Sequence, residues 1–384
     1  MTNKETTLIK AIGDGGIITD GDWIESRDQD PSGNVRLIQL ADVGDGQFLN
    51  KSRKYVNAQT VERLRCTLLV PGDVLVARLP DPLGRTCVFP NLSQPAIAAV
   101  DVCIIRPDPN ELHPDWLALF LNSPSTRALI ALEAQGATRA RVPTGKLKQL
   151  KLVPPPIEAQ KELAASWAKM NESLNRAATS VRLQTEEVDK LVGSIVFDSL
   201  RRAKAKAHSI GNVLDEVKHG IGDTWKDLSV LGATRSGLAP AKERPGKNPE
   251  RYKPVDAGTV FYNPMRILIG SIAFVDEADE PGITSPDYVV LKGKPGVVDS
   301  RWFYYWLRSP LGERCIQSLA RGAVRERMLF SRLAEGEIEL PDYDTQVKAS
   351  KALAQIKPLR AAIQKQIAEL ELLPQKLLAQ IFES

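Results

Sequence analysis

The sequence is poor in the residues and motifs from which catalytic and metal sites are usually built. It has 3 histidines and 4 cysteines, and none of them falls in HExxH, CxxC or paired Cys/His spacing. It also has no Walker A loop, no GxSxG elbow and no GxGxxG turn that opens a helix. We therefore expect no metal, no cofactor and no catalytic residue in this chain.

Long apolar runs are missing as well. No run approaches the roughly 18 residues that a membrane helix needs, and the first residues, MTNKETTLIKAIGDGG, have no apolar signal-peptide core. The cysteines (Cys66, Cys87, Cys103 and Cys315) are scattered, which fits a reducing compartment. These features predict a cytoplasmic protein that does not associate with a membrane.

The charge balance alone does not identify a partner. The net charge is +4, from 51 basic and 47 acidic residues, so the positions of the basic residues must decide whether nucleic acid is bound. Hydrophobic residues make up 43% of the 384 residues. At roughly 100 to 200 residues per domain, the chain has room for two or three domains with real cores.

The chain contains an internal duplication with an offset of 186 residues. The segment HPDWLALFLNSP returns as VDSRWFYYWLRSP, so that Trp116 aligns with Trp302 and Pro124 aligns with Pro310. The same offset places GDVLVAR on GTVFYNP and QGATRAR on RGAVRER, and it needs no gap from Gly72 onward. A repeat of this length predicts two similar globular domains.

Both copies have the same order of local patterns. An irregular segment leads into short β-branched runs bounded by proline and glycine, which predict strands. A tryptophan-bearing helix, a glycine-centred basic loop and a short strand closing on proline follow. The helical spacing of Trp116 and Trp302 with other apolar residues predicts packing inside their own domains. Trp23 and Trp225, each beside a Gly-Asp pair, are also predicted to be structural.

Each domain is followed by a long helix. Between Ile157 and about Lys206 there is no proline, and apolar residues recur in a seven-residue cycle typical of a coiled coil. One row is Trp167, Leu174, Val181, Val188 and Ile195, and the other is Leu163, Met170, Ala177, Gln184 and Leu191. The second copy supplies the partner helix with Leu353, Ile356, Ile363, Ile367, Leu370, Leu377 and Ile381.

The second helix departs from the pattern in three places. Arg360 occupies a core position, and Pro358 and Pro374 fall inside the helix. Because proline removes a backbone hydrogen bond and clashes with the preceding turn, we expect this helix to be shorter or bent.

These observations predict an α+β fold with a pseudo-twofold internal repeat. Two similar globular domains, β-rich with short helices, are separated by two long helices packed as an antiparallel coiled coil. The predicted boundaries are residues 1–155 for the first domain, 156–206 for the first helix, 207–341 for the second domain and 342–384 for the second helix.

Basic residues cluster at matching places in the two copies, which favours binding to double-stranded DNA. Arginine and lysine neutralise phosphates, and arginine can bond guanine through two N–H groups. For any single residue a solvated basic surface is the simpler interpretation, whereas the recurrence in both copies favours DNA. The candidate residues are Lys51, Arg53, Lys54, Arg78, Arg139, Arg141, Arg235, Lys242, Arg244, Lys247, Arg251, Lys253, Arg325 and Arg327.

The assembled features resemble the specificity subunits of type I restriction-modification systems. The resemblance covers nearly the whole chain and rests on the order of domain, helix, domain and helix. Its marks are the Gly72-Asp73 strand start, which becomes Gly258-Thr259, the tryptophan helices and the Gly-Ala loops. The most specific mark is the proline-rich turn that leads to a glutamine, PPPIEAQ in one copy and PDYDTQ in the other.

The resemblance implies a non-catalytic subunit that directs DNA methylation and restriction. Each domain would be a target recognition domain that reads one half of a split, asymmetric DNA site, and the helices would set the spacer and dock methyltransferase subunits, two per chain. Restriction subunits would join the full complex. The residues assigned to the coiled coil and to docking are Trp167, Met170, Leu174, Val181, Val188, Leu191, Leu353, Ile356, Ile363, Ile367 and Leu370.

A second interpretation remains open. The modest net charge and a heptad seam that could form a homodimer also suit a freestanding regulatory or interaction protein that binds nucleic acid or protein. Such a protein should be well behaved alone, whereas a subunit that needs methyltransferase partners should be poorly soluble without them.

Overall fold

A computed structural model describes residues 4–80, 82–136, 140–202, 205–241, 244–320 and 327–383. The chain divides into two compact units. Unit 1 comprises Met1–Thr179 with Ala368–Ser384, and unit 2 comprises Ser180–Ile367. The fold is α+β, as the sequence predicted, with a long helix between β-rich parts.

The β-rich part of unit 1 precedes the long helix. Its strands are β1 (Thr6–Thr7), β2 (Ile17–Asp20), β3 (Val35–Ile38), β4 (Lys54–Val56), β5 (Val74–Ala77), β6 (Thr86–Val88), β7 (Ala96–Ala98), β8 (Val102–Arg106) and β9 (Lys151–Leu152). Its short helices are α1 (Leu8–Ala11), α2 (Ala58–Leu64), α3 (Pro114–Asn122), α4 (Pro124–Leu132) and α5 (Thr144–Lys148). The first long helix, α6 (Ile157–Arg202), continues into unit 2.

Unit 2 repeats these elements. Its strands are β10 (Lys206–Ser209), β11 (Leu214–Glu216), β12 (Ser229–Thr234), β13 (Gly237–Pro240), β14 (Lys253–Val255), β15 (Val260–Tyr262), β16 (Ile272–Phe274), β17 (Gly282–Thr284), β18 (Val289–Gly293) and β19 (Glu337–Leu340). Its helices are α7 (Ile210–Val213), α8 (Ser300–Leu307), α9 (Pro310–Leu319), α10 (Phe330–Leu333), α11 (Tyr343–Leu353) and α12 (Ile356–Phe382), of which α12 continues into unit 1.

The sheets of the two units correspond strand by strand. Unit 1 has a four-stranded sheet in the order β2-β8-β5-β6, and unit 2 has one in the order β11-β18-β15-β16. Val74 lies opposite Ile105 in the first sheet, and Val260 lies opposite Leu291 in the second, each at the offset of 186 residues. The shared register confirms the internal repeat that the sequence predicted.

The second sheet of each unit differs at one edge. Unit 1 has the order β4-β3-β7, and unit 2 has the order β13-β12-β17-β14. The counterpart of β14 in unit 1 is a single bridge between Leu68 and Ile97, which matches the pairing of Pro254 with Ile283. The chain between these points holds α2 in unit 1 and the basic segment after β13 in unit 2, so the two units differ most in this segment.

The tryptophan helices lie in the cores, as their spacing predicted. Trp116 is 3% exposed in the cluster that also contains Val74, Ile105 and Leu121. Trp302 is fully buried, and its indole N–H donates to the hydroxyl of Ser199 in α6 at 2.9 Å. Each tryptophan helix therefore joins its β-rich part to a long helix of the same unit.

A buried glutamine fixes the start of α6. The side chain of Gln160 is 1% exposed, and its Oε1 accepts the backbone N–H of His113 at 2.8 Å, just before α3. Its Nε2 donates to the carbonyls of Pro155 at 2.8 Å and Glu111 at 3.4 Å. The turn PPPIEAQ thus locks the first turn of the long helix to the tryptophan helix.

The same lock recurs at the start of α11. Gln346 is fully buried and accepts the backbone N–H of Asp299 at 2.9 Å. Its Nε2 donates to the carbonyls of Pro341 at 2.8 Å and Val297 at 3.0 Å. All of these partners stand 186 residues after their counterparts, which explains in physical terms why the proline turn and the glutamine occur together.

The second long helix is interrupted, as its prolines predicted. Helix α11 ends at Leu353 and α12 begins at Ile356, two residues before Pro358. The ring of Pro358 would clash with the carbonyl four residues earlier, at Ala354, if one helix ran through. Pro374 lies inside α12, where the helix continues past it.

The seam of α6 differs from the predicted one in its second row. The row from Trp167 to Ile195 is buried or half-buried, but Gln184 and Leu191 are exposed, and Leu191 is 47% exposed. Thr185 and Val192, one residue later, take their places. Leu191 is therefore wrong as a residue of the buried seam. Apolar side chains at both positions left the row undecided in the sequence.

Within unit 2 the two long helices share one core. Val188, Val192 and Val196 of α6 belong to the same cluster as Ile356 and Ile363 of α12. Arg360 sits at the predicted core position, and its guanidinium pairs with the Asp189 carboxylate at 2.6 Å. Since α6 enters unit 2 where α12 leaves it, the two helices run in opposite directions, as predicted.

Candidate nucleic-acid interface

The first basic loop of unit 1, residues 50–54, is held from below by a buried ion pair. Arg36 is 3% exposed, and its guanidinium donates to the side chain of Asn50 at 3.0 Å and to the Ser52 carbonyl. The buried Asp42 carboxylate accepts the backbone N–H of Ser52 at 2.8 Å and lies 3.8 Å from the Arg36 guanidinium. The loop therefore has a defined conformation before any ligand binds.

The basic residues of this loop point away from that support. Lys51, Arg53 and Lys54 are exposed. Arg53 donates to the Asn50 carbonyl at 2.9 Å, and the ammonium of Lys54 donates to Gln29 at 2.6 Å. Exposed cations on a rigid loop can bind phosphate with little loss of conformational entropy.

Arg78 is not a surface residue, in contrast to its place among the DNA-binding candidates. It is 3% exposed and pairs with Asp20 at 2.9 Å. Its guanidinium also donates to the Thr144 hydroxyl and the Val100 carbonyl, both at 2.7 Å. Burial lowers the pKa of this guanidinium, and the nearby Asp20 raises it in part. Arg78 stabilises the domain and is not placed to contact a ligand.

The basic loops around Gly136 and Gly322 are closed by an arginine that has the same partner in both units. Arg141 lies 3.5 Å from Asp101 in unit 1, and Arg327 lies 3.2 Å from Asp287 in unit 2. Both pairs are related by the offset of 186 residues. Arg139 and Arg325, also predicted in these loops, lie outside the described residues.

The second basic segment of unit 2 lies between β12 and β14. Its exposed members are Arg235, Arg244, Lys247 and Arg251, and Lys242 lies outside the described residues. Lys253 is half-buried, and its ammonium donates to the Tyr288 carbonyl at 2.7 Å. Burial lowers the pKa of Lys253. The exposed residues are available to an anionic ligand, whereas Lys253 also stabilises the domain.

The strand start at Gly72-Asp73 is organised by a charged side chain. The Asp73 carboxylate is fully buried and accepts two hydrogen bonds from Arg106, at 2.6 and 2.7 Å, and one from the Val70 backbone at 2.9 Å. The hydrogen bond with Asp73 raises the pKa of Arg106. Gly72 has a φ of +95°, which a residue with a side chain rarely adopts.

Unit 2 keeps this arrangement with different residues. The hydroxyl of Thr259 accepts the backbone N–H of Asp256 at 3.2 Å, as the Asp73 carboxylate does for Val70. The Asp256 carboxylate pairs with Lys292 at 2.6 Å, and Lys292 aligns with Arg106. The change from Gly-Asp to Gly-Thr therefore preserves the strand start, because the carboxylate has moved by three residues.

Large apolar side chains are exposed on the outer faces of the long helices. Of the predicted docking residues, all except Leu191 are buried or half-buried on the seam. Leu183, Leu191, Phe197 and Leu372 are between 47% and 56% exposed. The sequence analysis placed only Leu191 in the interface. The signal for the other three was their position outside both heptad rows.

Neither a metal site nor a membrane helix is found in the described part of the chain. No group of histidine, cysteine, aspartate or glutamate residues in these ranges could hold a metal ion. None of the described helices is long and apolar enough to cross a membrane. All four cysteines are described, and each is a free thiol.

The fold and its basic loops define a duplicated α+β protein in which two β-rich parts share two long helices. No protein-family model matches the chain. A protein of Methanocaldococcus jannaschii described as the MjaX type I restriction enzyme specificity subunit is 22% identical over 371 residues, which cover 89% of this chain and 85% of that protein.

Solved structures share the fold over nearly the whole chain. A chain from a structure of a type I restriction-modification system has a TM-score of 0.62 at 16% identity, covering 96% of this chain and 98% of that one. The S subunit from M. genitalium has a TM-score of 0.50 at 14% identity, with coverage of 99% and 96%. The HsdS subunit from Thermoanaerobacter tengcongensis has a TM-score of 0.50 at 16% identity, with coverage of 96% and 97%. The resemblance to type I specificity subunits is thereby confirmed.

Proposed function

We propose that this chain is the DNA-recognition subunit of a type I restriction-modification complex. Each β-rich domain reads one half of a bipartite, asymmetric DNA site, and the two long helices set the spacer between the halves. The chain has no catalytic role of its own and directs the methyltransferase and nuclease subunits of a cytoplasmic complex to their target.

The observation that carries this proposal is the combination of a shared frame with unlike basic segments. Both units keep the buried glutamine, the strand start and the Arg–Asp pair at one offset. Their basic segments differ, since residues 50–54 of unit 1 follow β3 and residues 244–251 of unit 2 follow β13. Two domains that bind the same polymer but read different sequences need a common frame and different contact residues.

The exposed apolar residues of the long helices support a role in subunit docking. Leu183, Leu191 and Phe197 are exposed on α6, and Leu372 is exposed on α12. Exposed apolar side chains of this size commonly mark protein interfaces. We assign them to methyltransferase subunits, two per chain, with restriction subunits joining the full complex.

The test is to co-express the chain with the methyltransferase subunit encoded beside it and to map N6-methyladenine on plasmid DNA. We expect a split, asymmetric motif with a fixed gap. If a complex forms and binds its cofactor but leaves the DNA unmethylated, the freestanding regulatory alternative is favoured. The alternative also predicts that the chain is soluble and stable when it is purified alone.

A further inference from the structure

The indole of Trp23 forms part of a surface pocket of about 280 Å³ in unit 1. Trp23 is 69% exposed, so the sequence-based interpretation of this residue as part of the packing is wrong. Leu79, Val100, Asp101 and Arg141 also line the pocket. One aromatic wall beside a charged pair suits a ligand with flat apolar faces and polar edges, which describes a nucleobase.

The backbone that carries Trp23 is fixed to the neighbouring strands. The N–H of Gly21 donates to the Val102 carbonyl at 2.9 Å, and the N–H of Asp22 donates to the Ala98 carbonyl at 2.7 Å. A Cβ atom on Gly21 would lie 2.2 Å from the Ala99 carbonyl oxygen, so only glycine allows this close approach. The exposed indole therefore stands on a rigid support, as interface aromatic residues that dominate binding commonly do.

Arg141 is anchored beside this indole. Its backbone pairs with Gln135 through hydrogen bonds of 2.9 and 2.8 Å, which close the loop around Gly136. Its guanidinium donates to the Val100 carbonyl at 2.7 Å and lies 3.5 Å from Asp101, while the side chain remains 35% exposed. A guanidinium has five N–H donors, so one held in this way can still present donors to the edge of a base.

Unit 2 keeps the charged pair but changes its apolar neighbour. Arg327 pairs with Asp287 at 3.2 Å and lines a crevice with Met265 and Leu268. Met265 is 57% exposed and Leu268 is 51% exposed. The pair is thus common to both units, and the adjoining apolar side chain differs between them.

We infer that each Arg–Asp pair and its apolar neighbour form a base-reading site. In this arrangement, Trp23 determines part of the sequence preference of the half-site bound by unit 1, and Met265 does so for unit 2. The arginine donates to the acceptor edge of a base, the aspartate orients the guanidinium, and the apolar side chain contacts a base face or a thymine methyl group. The inference rests on the proposed function.

The test compares single variants in the complex with the methyltransferase subunit. Methylation motifs and DNA affinity are measured for the unaltered chain and for Trp23→Ala, Met265→Ala and Leu132→Ala. Leu132 is a control, since it is 82% exposed at the end of α4 and lines neither site. We expect Trp23→Ala to reduce discrimination at one or more positions of one half-site by roughly tenfold. Met265→Ala should affect only the other half-site, and Leu132→Ala neither.

Two results would overturn this inference. One is an unchanged motif in both Trp23→Ala and Met265→Ala. The other is a uniform loss of affinity that leaves the sequence preference intact, which would make these side chains general contacts. In both cases a bipartite motif from the unaltered chain would still support the proposed function, so the two failures are distinguishable. Thermal unfolding of each complex, with Trp23→Phe as a second variant, separates lost reading from lost folding.

Discussion

At the scale of single residues, the two buried glutamines have the clearest structural task. Gln160 is 1% exposed and both accepts and donates hydrogen bonds to backbone groups before α3 and before α6. Only an amide side chain supplies a donor and an acceptor in this geometry. The conformation at the beginning of α6 therefore depends on one uncharged side chain.

We expect Gln160→Ala to lower the free energy of unfolding by about 2 kcal/mol, because it leaves the backbone N–H of His113 buried and unpaired. Gln160→Glu should cost more, since it replaces the donor with a buried charge. Denaturant unfolding of the full chain measures both. Gln184→Ala is the matched control, because Gln184 is exposed on the same helix. Equal midpoints for Gln160→Ala and the control would contradict the assigned role.

The two strand starts permit an exchange between the units. Asp73→Thr removes the carboxylate that Arg106 bonds and should lower the free energy of unfolding by about 2 to 3 kcal/mol. Adding Val70→Asp should recover part of this loss, because it places a carboxylate where Asp256 stands in unit 2. Val70 is 40% exposed, so the new charge stays hydrated. Thermal unfolding of the single and double variants tests this, and a double variant no more stable than the single one would refute the equivalence.

Residue roles were predictable where a local pattern carried them. The tryptophan helices and the glutamine turns were visible in the sequence, because their partners repeat at one offset. Arg78 was misplaced, because its burial depends on Asp20 and Thr144, which lie far away in the chain. Trp23 was misplaced for the opposite reason, since nothing local distinguishes an exposed tryptophan from a buried one.

At the scale of elements, the seam of α6 depends on which of two adjacent rows is buried. Both Leu191 and Val192 are apolar, but Leu191 is 47% exposed and Val192 is 8% exposed. The strict seven-residue cycle predicted Leu191. The structure instead buries the row containing Thr185, Val192 and Ser199, which polar residues partly conceal in the sequence.

This pair of neighbours gives a direct test of the seam. Val192→Asp should lower the free energy of unfolding by about 3 kcal/mol or more, because it buries a carboxylate among Val188, Ile356 and Ile363. Leu191→Asp should have almost no effect on folding. Thermal unfolding of the two variants decides between the rows, and the reverse order of stability would support the seam predicted from the sequence.

Leu191→Asp has a second use, because Leu191 is one of the exposed apolar residues on α6. A charge there should weaken an interface with a partner subunit without unfolding the helix. Co-purification of the methyltransferase subunit with this variant would therefore report on docking alone. Lys190→Asp offers a matched control one residue earlier, at an exposed position that is already charged.

At the scale of the whole molecule, the two units are copies whose helices are exchanged. The N-terminal part of α6 and the C-terminal part of α12 belong to unit 1, and the remaining parts belong to unit 2. Phe382 near the end of α12 packs against Trp116 and Phe120 in unit 1. The corresponding region of α6 contacts Trp302 in unit 2. The length of both helices together is therefore what the proposed function uses to set the spacer.

A spacer role predicts that the gap in the DNA site follows helix length. Inserting seven residues after Thr179 in α6 and after Ile367 in α12 keeps both seam rows in phase and adds about 10 Å to each helix. At about 3.4 Å per base pair, the unread gap should grow by about three base pairs while both half-sites stay the same. Methylation mapping measures the gap, and insertion into α6 alone is the control, because unequal helices should prevent assembly. An unchanged gap in a folded, active double insertion would show that the helices do not set the spacer.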